Sequence, residues 1–424
     1  MKNIDYFALW TVLFLICLNN LVHFSSYFDC VIRVFWRRWL FANSINDFPL
    51  CRRSFLDYLF NFFKIGILIQ SMVWNESQKL LCVVIPVYNC KKFLPRLFSS
   101  LSCQTAPLCR LIFVYDESTD NTLDLIQSFQ RDNFGHSIFI LKRKIRSGVG
   151  KARDFAIDSG LIDTKYVLFL DSDDSFEPDY LQELLLTAEK TNADITMCGF
   201  DRENEVSNSV ISTEMIHNPQ ELSELKNSSI IPYLNPAPWN KLYRVDKIQD
   251  ARFVFPGGGE DEMFFLEVLP NCQKIAFVNK VLYHYLIHEG SVLSGTNVNL
   301  YEKAKEGYKS VIDFYKNHGG NYSSFLPLCE ACIFIRFGIG MTTRTCLSVP
   351  KEKRRIIKET KSFFSECLVG WRKNHLLSFI TSFKNGIKPL FIWRCRLLYK
   401  LNCFSLFVFD YKIFTHIFRK DIKW

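Results

Sequence analysis

From Leu80 onward the chain alternates apolar runs of strand length with helical ones. "KLLCVVIPVYN", "CRLIFVYDEST", "HSIFILKRK" and "KYVLFLDSDD" are nearly continuous apolar stretches, each closed by turn-forming or charged residues. Between them "CKKFLPRLFSSLSCQ", "DNTLDLIQSFQRD" and "GVGKARDFAIDSG" read as helices, the last opened by a glycine-rich turn. Apolar strands separated by helices predict an α/β fold, a mostly parallel sheet covered on both faces. Ligands of such sheets bind beyond the carboxyl ends of the strands. The polar tips "PVYN", "YDESTD", "RSGVGK" and "DSDD" therefore meet at one edge.

The pattern changes at both ends. After Tyr301 the chain reads as helical: "YEKAKEGYKSVIDFYKNH" is amphipathic, and "FLPLCEACIFIRFGIGM" is apolar enough for a core helix. At the other end no Lys, Arg, Asp or Glu occurs from Tyr6 to Phe28, and "RVFWRRW" follows shortly after. A spanning helix there would leave the rest of the chain in the cytoplasm. An interfacial segment, or a start at Met72 with the preceding residues untranslated, are the other readings. No small-residue cleavage site of a signal peptide is evident.

Composition sharpens this. The 424 residues carry 52 Lys and Arg against 43 Asp and Glu, a net charge of +9. From Trp371 to the end eleven basic residues stand against two acidic ones, among many aromatic rings. Rings with cations suit an interfacial membrane surface, and a helical subdomain packed on the core is compatible with it. The 15 cysteines show no metal-like spacing and read as reduced thiols of a cytosolic compartment. Nothing points to nucleic acid.

The chemistry concentrates at "VLFLDSDDSF", where Asp171, Asp173 and Asp174 lie within four positions. One carboxylate is explained by capping: Asp174 or Ser175 at the start of the helix "PDYLQELLLTAEK", with Asp174 the expected cap. Three are not, because like charges this close repel unless a cation relieves them. A hard divalent ion that also holds a phosphate fits.

Over about residues 80 to 295 the chain resembles the family 2 glycosyltransferases of the GT-A fold. "VVIPVYN", "DESTDNT", "GVGKARDFAIDSG" and "YVLFLDSDD" occur in that family's order and spacing. The resemblance implies a Rossmann-like sheet that binds a nucleotide sugar, commonly a UDP-sugar, and transfers the sugar with inversion. Pro86 and Tyr88 would flank the uracil and Asp116 would bond its N3–H. Tyr115 stands where the family has a first aspartate, and Glu117 where it has a small residue. Arg153, with Lys151 as a looser candidate, would face the diphosphate. Asp171 and Asp173 form the DxD motif, Asp173 holding Mn²⁺ or Mg²⁺ and Asp171 assisting. In "FPGGGEDEMFFLEVL" Asp261 matches the base that takes the acceptor's proton, with Glu260 as alternate. His288, or else His284, would reach the metal or diphosphate, and Trp239 and Asn240 would line the donor or acceptor pocket.

The expected organisation is an N-terminal apolar and basic segment (1–78), a nucleotide-sugar half (79–200), an acceptor half (201–299) and a helical aromatic and basic C-terminal region (300–424). The expected acceptor is a saccharide or lipid-linked glycan in surface-polysaccharide or glycolipid synthesis, at the cytoplasmic face of the inner membrane. The rival readings are a non-catalytic nucleotide-sugar-binding or scaffold subunit and a phosphohydrolase of the haloacid dehalogenase kind.

Overall fold

The computed structural model describes residues 80–418, apart from 107–108, 133–136, 147, 208, 215–220, 255–259, 289–296 and 385–386. The readings for residues 1–79 lie outside the described residues. Those described belong to one compact unit that begins at Val73.

The first half matches the sequence pattern closely. Strands β1 (Leu81–Val87), β2 (Arg110–Asp116), β3 (Ser137–Arg143) and β4 (Tyr166–Phe169) pair in parallel in the order β3-β2-β1-β4. Helices α1 (Leu94–Ser102), α2 (Thr122–Asp132) and α3 (Val149–Asp158) connect them. Residues alternate between the two faces of β1. Leu81, Val83 and Ile85 pack with α1 and α2, whereas Cys82 and Val84 pack with α3. Both faces are closed, which is why the strand reads as one apolar run.

The second half is mixed rather than parallel. After the short β5 (Ser175–Phe176) and α4 (Tyr180–Thr191) come β6 (Ile195–Asn204), β7 (Val210–Glu214), β8 (Glu221–Ser223), β9 (Lys241–Arg244), α5 (Glu260–Val268) and β10 (Lys274–Ile287). The sheet continues β4-β9-β6-β10-β5, with β9 antiparallel to both neighbours and β6 parallel to β10. Strands β7 and β8 add to β6 and β10 at the margins. The expected division at residue 200 falls inside β6, so both halves share one sheet.

The C-terminal helices are α6 (Val298–His318), α7 (Gly320–Ile333), α8 (Thr342–Ser348), α9 (Lys353–Glu366), α10 (Phe379–Lys384), α11 (Ile387–Lys400) and α12 (Phe404–Phe418). A π-helical stretch, Phe334–Met341, joins α7 to α8 without a break. The resulting helix Gly320–Ser348 is long and apolar enough to cross a bilayer, yet it is mostly buried in the fold. Its core is continuous with that of α3 and α5 on one face of the sheet, as a core helix requires. Gly338 lies so close to Phe364 that a Cβ there would sit 2.3 Å from the ring.

Candidate active site at the carboxyl ends of the strands

The centre of the site is Arg153, a side chain only 1% exposed on the buried face of α3. Its Nη2 lies 2.5 Å from Asp171 Oδ1, and its Nη1 lies 2.6 Å from Asp261 Oδ1. One guanidinium thus ties the strand-end carboxylate after β4 to the first turn of α5, 108 residues further on than Arg153. Burial alone would push the arginine towards neutrality. The carboxylates of Asp261, Asp171 and Glu260 outweigh it and raise its pKa. Burial pushes Asp171 up to about 6, with Asp173 and Asp261 adding to the rise, while Arg153 pulls the other way. An unpaired arginine here would be far costlier than the pair.

Each remaining acid has its own partner. Asp173 Oδ2 lies 2.9 Å from His288 Nε2, and the imidazole packs on Phe93 with ring centroids 4.6 Å apart. Asp174 is wholly buried: it accepts from the Tyr283 hydroxyl at 2.6 Å and from Leu286 N at 2.8 Å. It therefore fixes the end of β10 and does not cap α4, whose N-cap position is Asp179. Burial and the neighbouring Asp173 and Asp171 hold its pKa well above the usual carboxylate range.

The start of α5 distributes three acids in the same way. Glu260 Oε2 accepts from Gly150 N at 2.9 Å, so this carboxylate occupies the positive N-terminus of α3. A Cβ on Gly150 would come within 2.7 Å of that carboxyl, and Gly148 before it has φ +99°. Only glycines allow this approach. The N-terminus of α3 at this glycine turn is thus filled by the chain's own Glu260, whose pKa burial and Asp261 raise. Glu262 points the opposite way: Oε1 accepts from Arg336 Nη1 at 2.8 Å, and Oε2 accepts from the Tyr308 hydroxyl. Arg336, in the π-helical stretch, also donates to Leu234 O at 2.7 Å. Asp154 accepts from Phe253 N and Val254 N and so anchors the chain just ahead of the glycine run.

The residues expected to receive the nucleotide lie at the tips of β1 and β2. Asp116 is 4% exposed with Arg143 Nε 3.4 Å away. Pro86 is buried in β1, and Tyr88 beyond it is half-buried with the Arg146 guanidinium 4.1 Å from its ring centroid. The Tyr115 hydroxyl accepts from Ser118 N at 3.0 Å, so the residue that replaces a family aspartate braces the turn after β2. Lys151 is exposed on the first turn of α3.

Two expectations change. Trp239 and Asn240 belong to the core rather than to an open pocket. The indole stacks on Tyr283 at 4.5 Å, and Asn240 Nδ2 donates to Cys198 O at 2.9 Å. Next to them Lys241, fully buried, donates to Asn235 O, Ala237 O and Asn240 Oδ1, while burial presses its pKa down to about 7. His284 is held between Asp201, 2.8 Å from Nδ1, and Glu177, 3.1 Å from Nε2, apart from the contact His288 makes with Asp173. Sequence reasoning missed Arg143, Arg146, Tyr308 and Arg336. Arg143 closes a basic strand end and was the one within reach of local reading.

Carboxylates at strand ends, a buried arginine between them and a parallel half-sheet define a GT-A nucleotide-sugar transferase architecture. Residues 82–251 match the family model "Glycosyl transferase family 2". It is 26% identical over 248 residues to the putative glycosyltransferase EpsH of Bacillus subtilis, covering 56% of this chain and 69% of that protein. It is 24% identical over 343 residues to the processive diacylglycerol beta-glycosyltransferase of Mycoplasma genitalium, covering 76% and 96%. Among solved structures, Staphylococcus aureus TarS 1–349 in complex with UDP-GlcNAc superimposes with a TM-score of 0.55 at 20% identity, over 76% of this chain and 92% of that one. The sequence match spans only 37% of the whole TarS protein. The family match and the three strand–helix units ahead of the aspartates set aside the phosphohydrolase reading.

Proposed function

We propose that the chain transfers a sugar from a nucleotide sugar, a UDP-sugar in the first instance, to a saccharide or lipid-linked glycan, with inversion and with a divalent ion. The observation that carries this is the double ion pair of Arg153, which brings the DxD carboxylate Asp171 and the base candidate Asp261 to one point. Carboxylate oxygens of Asp171, Asp173 and Asp174 lie within 4.8 Å of one another, and the imidazole of His288 stands beside Asp173. Oxygen ligands with one imidazole suit Mn²⁺ or Mg²⁺, so Asp173 and His288 would hold the ion, with Asp174 engaged elsewhere. When bound, the ion would neutralise the charge of the departing diphosphate.

The protein's own groups account for the rest. Asp116 and Tyr88, at adjacent strand tips, receive the base, and Arg143 beside Asp116 fixes its carboxylate. Asp261, 38% exposed at the start of α5, accepts the proton of the acceptor hydroxyl as its oxygen attacks the anomeric carbon. Arg153, 2.6 Å away, holds that carboxylate in place. The matched relatives include enzymes named for a diacylglycerol and for poly(ribitol-phosphate), which supports a lipid-linked or polymeric acceptor. Twelve free cysteines among the described residues, ten of them buried, suit work on the cytoplasmic side of the membrane.

The test is nucleoside diphosphate release from a panel of UDP-sugars with Mn²⁺, comparing the wild type with Asp173→Ala and Asp261→Asn. One sugar should stand out, and each substitution should cost about 10² to 10⁴-fold. Unchanged, metal-independent release in Asp173→Ala would sink this assignment. If nothing turns over while calorimetry shows tight metal-dependent binding, the non-catalytic binding subunit becomes the better account.

A further inference from the structure

Helices α10, α11 and α12 bury one side and leave an apolar side uncovered. Eight of the nineteen exposed large apolar side chains among the described residues fall between Phe379 and Ile413. On α10 these are Phe379, Ile380 and Phe383, on one face by their spacing. On α12 they are Leu406, Phe409 and Ile413, while Phe404, Phe407, Val408 and Tyr411 turn inward. Two contacts make the outer faces contiguous. The Phe379 ring lies 4.8 Å from Trp393 of α11, and Arg394 of α11 lies 2.6 Å from Asp410 of α12.

The exposed charged side chains among the described residues of 371–418 have one sign. Lys384, Lys400 and Lys412 are all exposed there, and Arg372 and Lys373 precede α10 on the surface. Between Trp371 and Phe418 the sole acidic residue is Asp410, a side chain 13% exposed and already paired with Arg394. A lysine-studded face is a poor fit to the core of a protein interface, where lysine is depleted. It would also repel a second copy of itself. Apolar rings interleaved with cations match the headgroup layer of a bilayer that carries negative lipid.

We propose that the outer face of α10–α12 docks on an anionic bilayer, with the Phe379, Phe383 and Phe409 side chains entering the headgroup region and the three lysines on lipid phosphates. This deepens the membrane side of the function proposed above and leaves Gly320–Ser348 as a core helix, not the anchor. The docking does not depend on transfer, so its test is independent of donor and acceptor.

The experiment is hydrogen exchange of the full chain alone, with phosphatidylcholine vesicles, and with vesicles in which about a third of the lipid is phosphatidylglycerol. Peptides over 379–384 and 404–413 should slow only with the anionic vesicles, and the effect should fade at high salt. Lys384→Glu, Lys400→Glu and Lys412→Glu together should weaken vesicle binding about a hundredfold at low salt. Phe383→Ser with Phe409→Ser should lose the protection while keeping the wild-type circular dichroism. Three results would overturn the proposal. One is slow exchange in these peptides without lipid, meaning that residues 1–79 or a second copy cover the face. Another is vesicle binding with these peptides unprotected. The last is a charge-reversed variant that binds as the wild type does.

Discussion

Two stretches of this protein each carry three acids in a short span: Asp171, Asp173 and Asp174 after β4, and Glu260, Asp261 and Glu262 at the start of α5. The strand end sends its acids to α3, to His288 and into the core beneath β10. The helix start sends its acids to the N-terminus of α3, to Arg153, and to Arg336 and Tyr308 of the C-terminal helices. In each set, one acid leaves the site to fasten the fold. The strand-end set uses Asp174 on its own sheet, whereas the helix set uses Glu262 on another region of the chain. A cluster of charge is thus not one functional unit. Its members separate by direction, and the alternation of a strand or the turn of a helix decides which acid goes where.

Arg153 is the point at which the comparison can be broken most sharply. Arg153→Met should leave two carboxylates facing each other, at a cost of about 3 kcal/mol in urea unfolding and the loss of nearly all transfer. Arg153→Lys should restore little, since an ammonium is a point charge and cannot fork between two carboxylates. Unfolding and turnover like those of the wild type would mean that the two clusters act separately.

The next test concerns the acid that leaves the site. Glu262→Gln and Arg336→Met should each cost about 2 kcal/mol, and the double variant should be less affected than their sum, since Glu262 and Arg336 are nearly buried partners. Additive losses would show that the C-terminal helices do not brace α5 through this pair.

A pH series sharpens the same helix. Glu267, on α5, is nearly buried, and burial pushes its pKa up to about 7 although Arg252 N donates to it at 2.9 Å. The folded state then holds this proton in a window where the unfolded chain has lost it. Its contribution to stability is full below about 4.5 and is lost as pH rises towards 7. The wild type minus Glu267→Gln stability difference should therefore fall between pH 5 and 8, by about 2 kcal/mol. A flat difference would show an ordinary carboxylate.

The smallest effect is expected at the helix cap. Glu260→Gln should cost about 1 kcal/mol through weaker stabilisation of the α3 N-terminus, with a smaller loss of transfer than Asp261→Asn. A loss equal to that of Asp261→Asn would exchange the two roles.

What the sequence made legible follows from what is local. The first four strands and their helices could be read because each strand is apolar on both faces, and the strand tips then had to meet. Four-residue β9 carries no mark of its antiparallel direction, so the mixed second half could not be read. The convergence of Asp171, Arg153 and Asp261 was implied by family spacing, but not the ion pairs that join them. Nothing in "DSDD" says that Asp174 bonds Tyr283, 109 residues away, nor in "EDE" that Glu262 meets Arg336, 74 residues on. Trp239 and Asn240 misled because an aromatic next to an amide in a proline-rich turn looks the same whether it faces a sugar or a core.

The long buried helix has a consequence for how this protein is made. Gly320–Ser348 would pass as a bilayer span, and part of what shields it arrives later in the chain. Phe334 within it packs against Trp371 and Tyr399, and Phe364 covers Gly338. At synthesis rates of about 5–20 residues per second, the stretch from Ser348 to Tyr399 takes about 3–10 s to appear. Throughout that interval the nascent chain displays a greasy rod against a half-built wall. Ribosome-bound intermediates of this length are therefore where holdase chaperones, or insertion machinery recruited in error, compete with folding.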